Sequence, residues 1–396
     1  MPRKGLSAWR FILAFGVVSL LMDFVYEGAR SITGPLLAAL GASGAVVGIV
    51  TGVGEAAAFG LRLISGPLAD RTQRFWTWTI LGYVVTAVAV PFLGVAGVLW
   101  VASALVIAER VGKAVRSPAK DTLVSHATAV TGRGKGFAVH EAMDQVGAVI
   151  GPLTVAGILA VTGDDYAPAL GVLAIPGAAA IALLFWLRSR VPNPAGYEPT
   201  PSAGVPDESG RLPRAFWAYA AFTAATMSGF ATFGVLSFHL VRENLLPVAA
   251  VPVVYAAAMG VDALAALATG WLYDRTGAKT LAVLPLLGAA TPLLVFTRTA
   301  WLAVAGALLW GAAVGVQEST LRATVADLVP VGRRATAYGV FAGIMGVATL
   351  VGGALTGVLY DVSVPALVTT LIAIQAVALV LLLVNRVRSS SSRSVG

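Results

Sequence analysis

The chain of 396 residues contains no cysteine. A disulfide framework and a thiolate metal site are therefore excluded, and the redox compartment leaves no mark on the sequence. Histidine is also scarce, with three residues. Charge is the third shortage: 12% of residues are Asp, Glu, Lys or Arg, against about 25% in soluble domains. That rules against a soluble globular enzyme. No phosphate-cradling glycine-lysine loop and no soluble nucleotide domain are present, so nothing points to ATP hydrolysis and the energy is expected from an ion gradient. No H-E-x-x-H motif and no nucleophile arrangement point to an intramembrane enzyme.

What the chain has in abundance is apolar sequence, 58% of residues with a mean hydropathy of +0.84. The uncharged runs 167–187, 215–238, 335–360 and 362–385 each reach the roughly 20 residues that cross a bilayer as helix. The run 75–108 is too long for one crossing and is broken at Pro91, Gly94 and Gly97, which suits a turn between two helices. A β-barrel is disfavoured because the apolar residues are continuous and do not alternate. The basic start at Arg3 and Lys4 resembles a signal sequence, but the apolar stretch behind it runs into Asp23 and Glu27 without a persuasive cleavage site, so it reads as a retained first helix.

Spans are expected near 11–36, 44–65, 76–95, 98–122, 136–160, 167–188, 215–240, 247–270, 279–297, 300–325, 336–360 and 364–385. Alternate connections carry Arg3, Lys4 and Arg10; Arg71 and Arg74; Arg133 and Lys135; Arg188, Arg190, Arg211 and Arg214; Arg275 and Lys279; Arg333 and Arg334; then Arg386, Arg388 and Arg393. The other connections hold only Arg242 and Arg298 as basic residues, with Asp164 and Asp165 on one of them. The net charge of +8 thus marks membrane edges on one side, not a nucleic-acid surface. By the positive-inside rule both termini are cytoplasmic, in the cell's inner membrane.

The proline-rich segment 193–213 reads as a cytoplasmic linker between halves 1–192 and 214–396. The halves share a signal. Gly66-Pro-Leu-Ala-Asp70-Arg71-Thr-Gln-Arg74 returns 204 residues later as Gly270-Trp-Leu-Tyr-Asp274-Arg275-Thr-Gly-Ala-Lys279. Such repetition marks two copies of one bundle. Glycine allows a tight turn, and the aspartate can cap a helix start or pair with a basic helix end.

These two loops resemble the G-x-L-x-D-R/K-x-G-R/K signature of the major facilitator superfamily. The first copy has Gln73 where that family has glycine, and the second has Ala278 in the last basic position. The resemblance implies an all-α membrane protein of about twelve transmembrane helices in two pseudo-repeated six-helix bundles. It also implies that Asp70, Arg71, Asp274 and Arg275 gate the cytoplasmic side. Gly147, Gly151 and Pro152 match the first part of a helix 5 motif common in the family's exporters, which favours export over import, although Val155 and Ala156 replace its final glycines. The plainer reading of that stretch is small-residue packing with a proline kink.

Ionisable residues at membrane depth are expensive and mark a path or a partner. Asp23, Glu27 and Arg30 follow i, i+4, i+7 spacing on one stripe of helix 1 with Tyr26 beside it. Helix 4 carries Glu109, Lys113, Arg116 and Lys120 on one face with Arg110 alongside; helix 5 carries His140, Glu141, Asp144 and Gln145; helix 2 carries Glu55 and Arg62. The resemblance makes Arg110 the counterpart of a helix 4 arginine that couples proton and substrate binding, with Gly112 two residues on where the family has a glycine four on. Asp23, Glu27 and Asp144 are the preferred proton carriers, with Glu55, Glu109 and Glu141 as further cavity groups. A static network of paired charges is the competing reading. His140 reads as a hydrogen-bonded packing histidine, and His126 and His239 as interfacial. Trp217, Tyr219, Phe230, Phe233 and Tyr255 are candidate apolar contacts from the second half.

The expectation is a proton-coupled secondary transporter of a small solute, acting as a monomer in lipid, with neither a cofactor nor a resident metal. One alternative is a divalent-metal exporter using Asp23, Glu27, His140, Glu141 and Asp144 as ligands. A membrane-embedded enzyme or receptor is the distant alternative, since a doubled gate loop has no use in a fixed site.

Overall fold

The long apolar runs break into helices at short connections, while Pro35, Pro67, Pro91, Pro118, Pro152 and Pro292 lie inside helices. The computed structural model describes residues 6–131, 133–197, 212–329 and 333–391, and regular structure among them is helical throughout. From the first half come α1 (Ala8–Ala39), α2 (Gly44–Gly60), α3 (Arg62–Thr72), α4 (Phe75–Gly94), α5 (Leu99–Thr131), α6 (Arg133–Thr162), α7 (Tyr166–Gly171) and α8 (Ala174–Arg190). From the second come α9 (Arg214–Ser228), α10 (Phe233–Arg242), α11 (Val251–Thr276), α12 (Val283–Val295), α13 (Ala300–Leu328), α14 (Arg334–Val362) and α15 (Val364–Ser391). Residues 198–211 of the expected linker lie outside the described residues, as do Arg3, Lys4, Arg211 and Arg393 and the side chains of Arg133, Lys135, Arg334, Arg386 and Arg388.

Ten helical stretches among the described residues are long and apolar enough to cross a bilayer, where twelve were expected. Two features account for the difference. α5 carries Glu109, Arg110, Lys113 and Arg116 in its membrane-length part, and Val248–Val295 counts as one stretch of 48 residues although the short 3-10 helix Gly277–Ala282 divides α11 from α12. The break expected at Pro91, Gly94 and Gly97 is present, since α4 ends at Gly94 and α5 begins at Leu99. Other expected spans are interrupted: α9 stops before Gly229 and α10 restarts at Phe233.

By mutual contact the chain groups into two compact units. The first comprises Met1–Leu40, Ala57–Ala203 and Val248–Ala256; the second comprises Gly41–Ala56, Gly204–Pro247 and Ala257–Gly396. Each is the bulk of one sequence half with a short piece of the other.

In the first unit α1 is the central helix, packed on α5, α6 and α8. Ser7 caps its start by accepting from the Arg10 N–H at 3.4 Å, and Val25 to Ala29 are buried on every face. α4 and α5 cross where Gly82 meets Gly112, so closely that a Cβ on Gly112 would lie 2.7 Å from the Gly82 carbonyl oxygen. At the start of the linker, Tyr197 donates to the Leu6 carbonyl at 2.7 Å. Burial pushes its phenol pKa up and keeps it a donor.

In the second unit, the α2 residues Gly44, Gly48 and Gly52 pack on α14 at Gly353 and Gly357, and a Cβ on Gly353 would lie 2.6 Å from the Gly48 carbonyl oxygen. Asp361 caps α2, accepting from the N–H of Gly44 at 2.9 Å and of Ala45 at 2.8 Å. Gln375 donates to the Thr226 carbonyl and Trp310 to the Ala231 carbonyl. His239, expected at the interface, is instead buried: its Nε2 faces the Thr297 carbonyl at 3.1 Å and its Nδ1 the Tyr360 hydroxyl at 2.9 Å. A carbonyl can only accept, so Nε2 donates and Tyr360 donates to Nδ1.

Candidate functional site

Close backbone approach brings the charged stripe of α1 to its partners. Gly147 and Gly151 of α6 lie directly on the backbone at Leu20 and Phe24, leaving no room for a Cβ. The expected helix 5 motif is thus a packing surface, with Pro152 buried beside it. On that contact α1 sets Asp23, Tyr26, Glu27 and Arg30 against Glu109, Arg110, Lys113, Arg116 and Lys120 of α5 and His140 and Asp144 of α6.

Tyr26 is the hub. It is 1% exposed, and its phenol oxygen accepts from Arg110 Nη1 and, at 3.4 Å, from Arg30 Nη1. Its ring lies under the Arg110 guanidinium at 4.6 Å and the Lys113 ammonium at 4.0 Å. The ring face partly offsets the two cations, which would otherwise repel each other. Arg110 also places Nε 3.4 Å from Glu109 Oε2, while Glu109 Oε1 is buried with no hydrogen-bond partner among the described residues. Arg30, Glu109 and Arg110 border a cavity of about 10 Å³, the size of one water.

Glu27 is 8% exposed. Its Oε2 accepts from the Tyr255 hydroxyl and lies 3.7 Å from Arg30 Nη1. Tyr255 comes from the first turns of α11, which group with the first unit. Asp23, partly buried, lies close enough to Asp144, Lys113, Glu27 and Arg116 for their charges to act on its own.

A second group forms around Asp144. Its Oδ2 stands 3.4 Å from His140 Nδ1 and 4.0 Å from Lys120 Nζ, and its Oδ1 is buried with no hydrogen-bond partner among the described residues. His140 is buried, with Nε2 2.8 Å from the Ser19 hydroxyl. Arg116 lies inside the helix bundle of the first unit. It is 4% exposed, bonded to Thr86 at 3.3 Å, with its guanidinium 4.6 Å over the Tyr83 ring.

Several expected site residues stand apart. Glu141 is exposed; it follows His140 on α6 by one position, a turn of about 100°. Glu55 is part-buried and belongs to the second unit. Asp70 and Arg71 at the end of α3 and Arg74 at the start of α4 are exposed, and neither Asp70 nor Asp274 forms an ion pair among the described residues. Arg275 folds over the Trp271 ring at 3.5 Å. Gly66 and Gly270 have ordinary or no contact where a Cβ would be. Gln73 takes the left-handed conformation that Gly277 takes in the second copy, with φ of 54° and 60°. Among the aromatic candidates, Trp217 is exposed, Tyr219 donates to the Leu321 carbonyl and Phe233 packs on Trp310. Sequence reasoning missed Ser19, Tyr83, Thr86 and Asp361, whose residue types carry no signal until their neighbours are known. Among the described residues no three His, Asp or Glu side chains converge at metal-binding spacing.

A buried charge network on glycine-packed membrane helices agrees with what the chain is similar to. An uncharacterized protein of Mycobacterium tuberculosis is 66% identical over 387 residues, covering 97% of this chain and 95% of that one. An uncharacterized MFS-type transporter of Methanocaldococcus jannaschii is 22% identical over 359 residues, 89% of each. In fold, the chain resembles the nucleoside transporter NupG (TM-score 0.78, 13% identity, 95% of this chain and 99% of that one). It also resembles a POT family transporter in complex with 5-aminolevulinic acid (TM-score 0.77, 16% identity, 99% and 98%). The pattern of the Major Facilitator Superfamily matches residues 15–246 and 240–396. Matched over nearly its whole length, this chain belongs to the Major Facilitator Superfamily and is a multi-pass membrane transporter of that type.

Proposed function

We propose that the chain is a proton-coupled secondary transporter of a small organic solute, an exporter before an importer, in which two six-helix bundles rock about the charged site. In this reading it has twelve spans and cytoplasmic termini in the inner membrane. The observation that carries it is the buried Glu27, held by Tyr255 on one side and Arg30 on the other. A proton arriving on Glu27 removes the charge that Arg30 answers and the acceptor strength that Tyr255 relies on, so protonation changes which contacts hold. Glu109 and Asp144 each keep one buried oxygen with no hydrogen-bond partner among the described residues. Such an oxygen is unfavourable unless a proton, a water or a solute donor meets it.

Arg110 links the two functions, since one guanidinium touches both Tyr26 and Glu109. A solute carboxylate entering there competes with Glu109 for the same donors. That favours solutes bearing a carboxylate, and 5-aminolevulinic acid, bound by a structural neighbour, is the first probe. No observation favours the metal reading: Glu141 lies exposed while His140 is buried.

The test is flux into proteoliposomes under an imposed pH gradient, with proton movement followed by a trapped dye. Solute movement that collapses with the gradient supports the reading. Flux of every tested solute that ignores the gradient, with no associated proton movement, rejects coupling.

A further inference from the structure

Where α4 begins and α8 ends, a cavity of about 790 Å³ opens within the first unit. Its lining carries one sign of charge. Arg74 and Arg188 border it, His126 stands beside them, and no Asp or Glu lines it among the described residues. Neither arginine forms an ion pair among the described residues. α4 starts without a side-chain cap, so the N–H groups of its first turn add positive potential. Trp76, on that turn and lining the cavity, is 7% exposed, and its indole N–H has no acceptor among the described residues. Phe75 and Phe185 complete an apolar wall.

Two guanidinium groups beside a helix start, with no carboxylate among the described lining residues, select an anion. Guanidinium forks match phosphate oxygens, and aromatic rings at a membrane edge suit the glycerol and first acyl carbons of a lipid. We propose that this cavity binds the phosphate of an anionic phospholipid headgroup, the same chemistry being open to free phosphate. The proposal does not rest on the transport reading.

Native mass spectrometry of the purified full chain tests it, with dioleoylphosphatidylglycerol, dioleoylphosphatidylcholine or inorganic phosphate added. The phosphatidylglycerol adduct should outlast the phosphatidylcholine adduct. The double variant Arg74→Gln, Arg188→Gln should weaken it roughly thirtyfold, about fivefold for each arginine facing an anionic lipid, while Arg242→Gln leaves it unchanged. If inorganic phosphate raises the melting temperature of the wild type but not of the double variant, and the two lipids are retained equally, the anion site stands and its source is free phosphate. Equal retention of phosphatidylglycerol by wild type and double variant, both monodisperse on size exclusion, together with equal phosphate effects, overturns the proposal.

Discussion

The Tyr255 hydroxyl donates to Oε2 of Glu27, joining residues 228 positions apart in sequence inside one compact unit. The bond gives α11 of the second sequence half a direct hold on the carboxylate proposed to take the proton. Tyr255→Phe deletes one oxygen and leaves the packing intact. Taking a donor from a buried carboxylate costs about 1–3 kcal/mol, so gradient-driven uptake should fall roughly tenfold or more. Unchanged uptake across the pH range would show that the bond is structural only.

Glu27→Gln and Asp23→Asn keep shape and remove the titratable charge. Both variants should insert and purify like the wild type, yet lose coupled transport, while exchange of solute at equal pH on both sides survives. Full gradient-driven activity in both would take α1 out of the coupling mechanism.

Arg110 bonds Tyr26 and also stands 3.4 Å from Glu109. A lysine keeps the charge but lacks a rigid fork with several donors. Arg110→Lys should therefore retain a small fraction of uptake and Arg110→Gln none above liposomes without protein. Equal rates in wild type and Arg110→Lys would mean that charge alone suffices.

Much of this arrangement was legible because helical spacing is a strong signal. The i, i+4, i+7 stripe of Asp23, Glu27 and Arg30 and the charged face of α5 fix which side chains share a surface, and the structure brings those two surfaces together. What the sequence hides is partner identity across helices. Tyr255 was a candidate for its aromatic ring, yet it matters here for its hydroxyl. Glu141 follows His140 by one position, a turn of about 100°, and lies exposed while His140 is buried. The helix 5 glycines look like a functional signature and serve as a close-packing surface, two readings that demand the same residue type.

The doubled loop offers a stability test. Gln73 and Gly277 occupy the same motif position and both have positive φ, a conformation that costs a residue with a Cβ about 1 kcal/mol. Nothing stands within 4 Å of a Cβ at Gly277, so Gly277→Ala meets only this backbone cost and should lower the melting temperature. Gln73→Gly relieves the strain but frees the unfolded chain and loses the Gln73 bond to the Asp70 carbonyl, so its effect should be smaller. A larger loss for Gln73→Gly would place the weight on that side-chain bond.

Thr51 of α2 and Thr232 at the start of α10 face each other with hydroxyl oxygens 2.8 Å apart. α2 is held there by close glycine contact with α14 and by the Asp361 cap. If the two bundles rock, a segment of the first sequence half packed this tightly on the second must part from it once in every cycle. The chain has no native cysteine, so Thr51→Cys with Thr232→Cys supplies its only thiols, within reach of a disulfide after small side-chain adjustment. Oxidation should yield an intramolecular cross-link, arrest uptake and leave solute binding measurable, and reductant should restore transport. Undiminished uptake by fully cross-linked protein would mean that α2 and α10 stay together throughout turnover, and the rocking mechanism would have to hinge elsewhere.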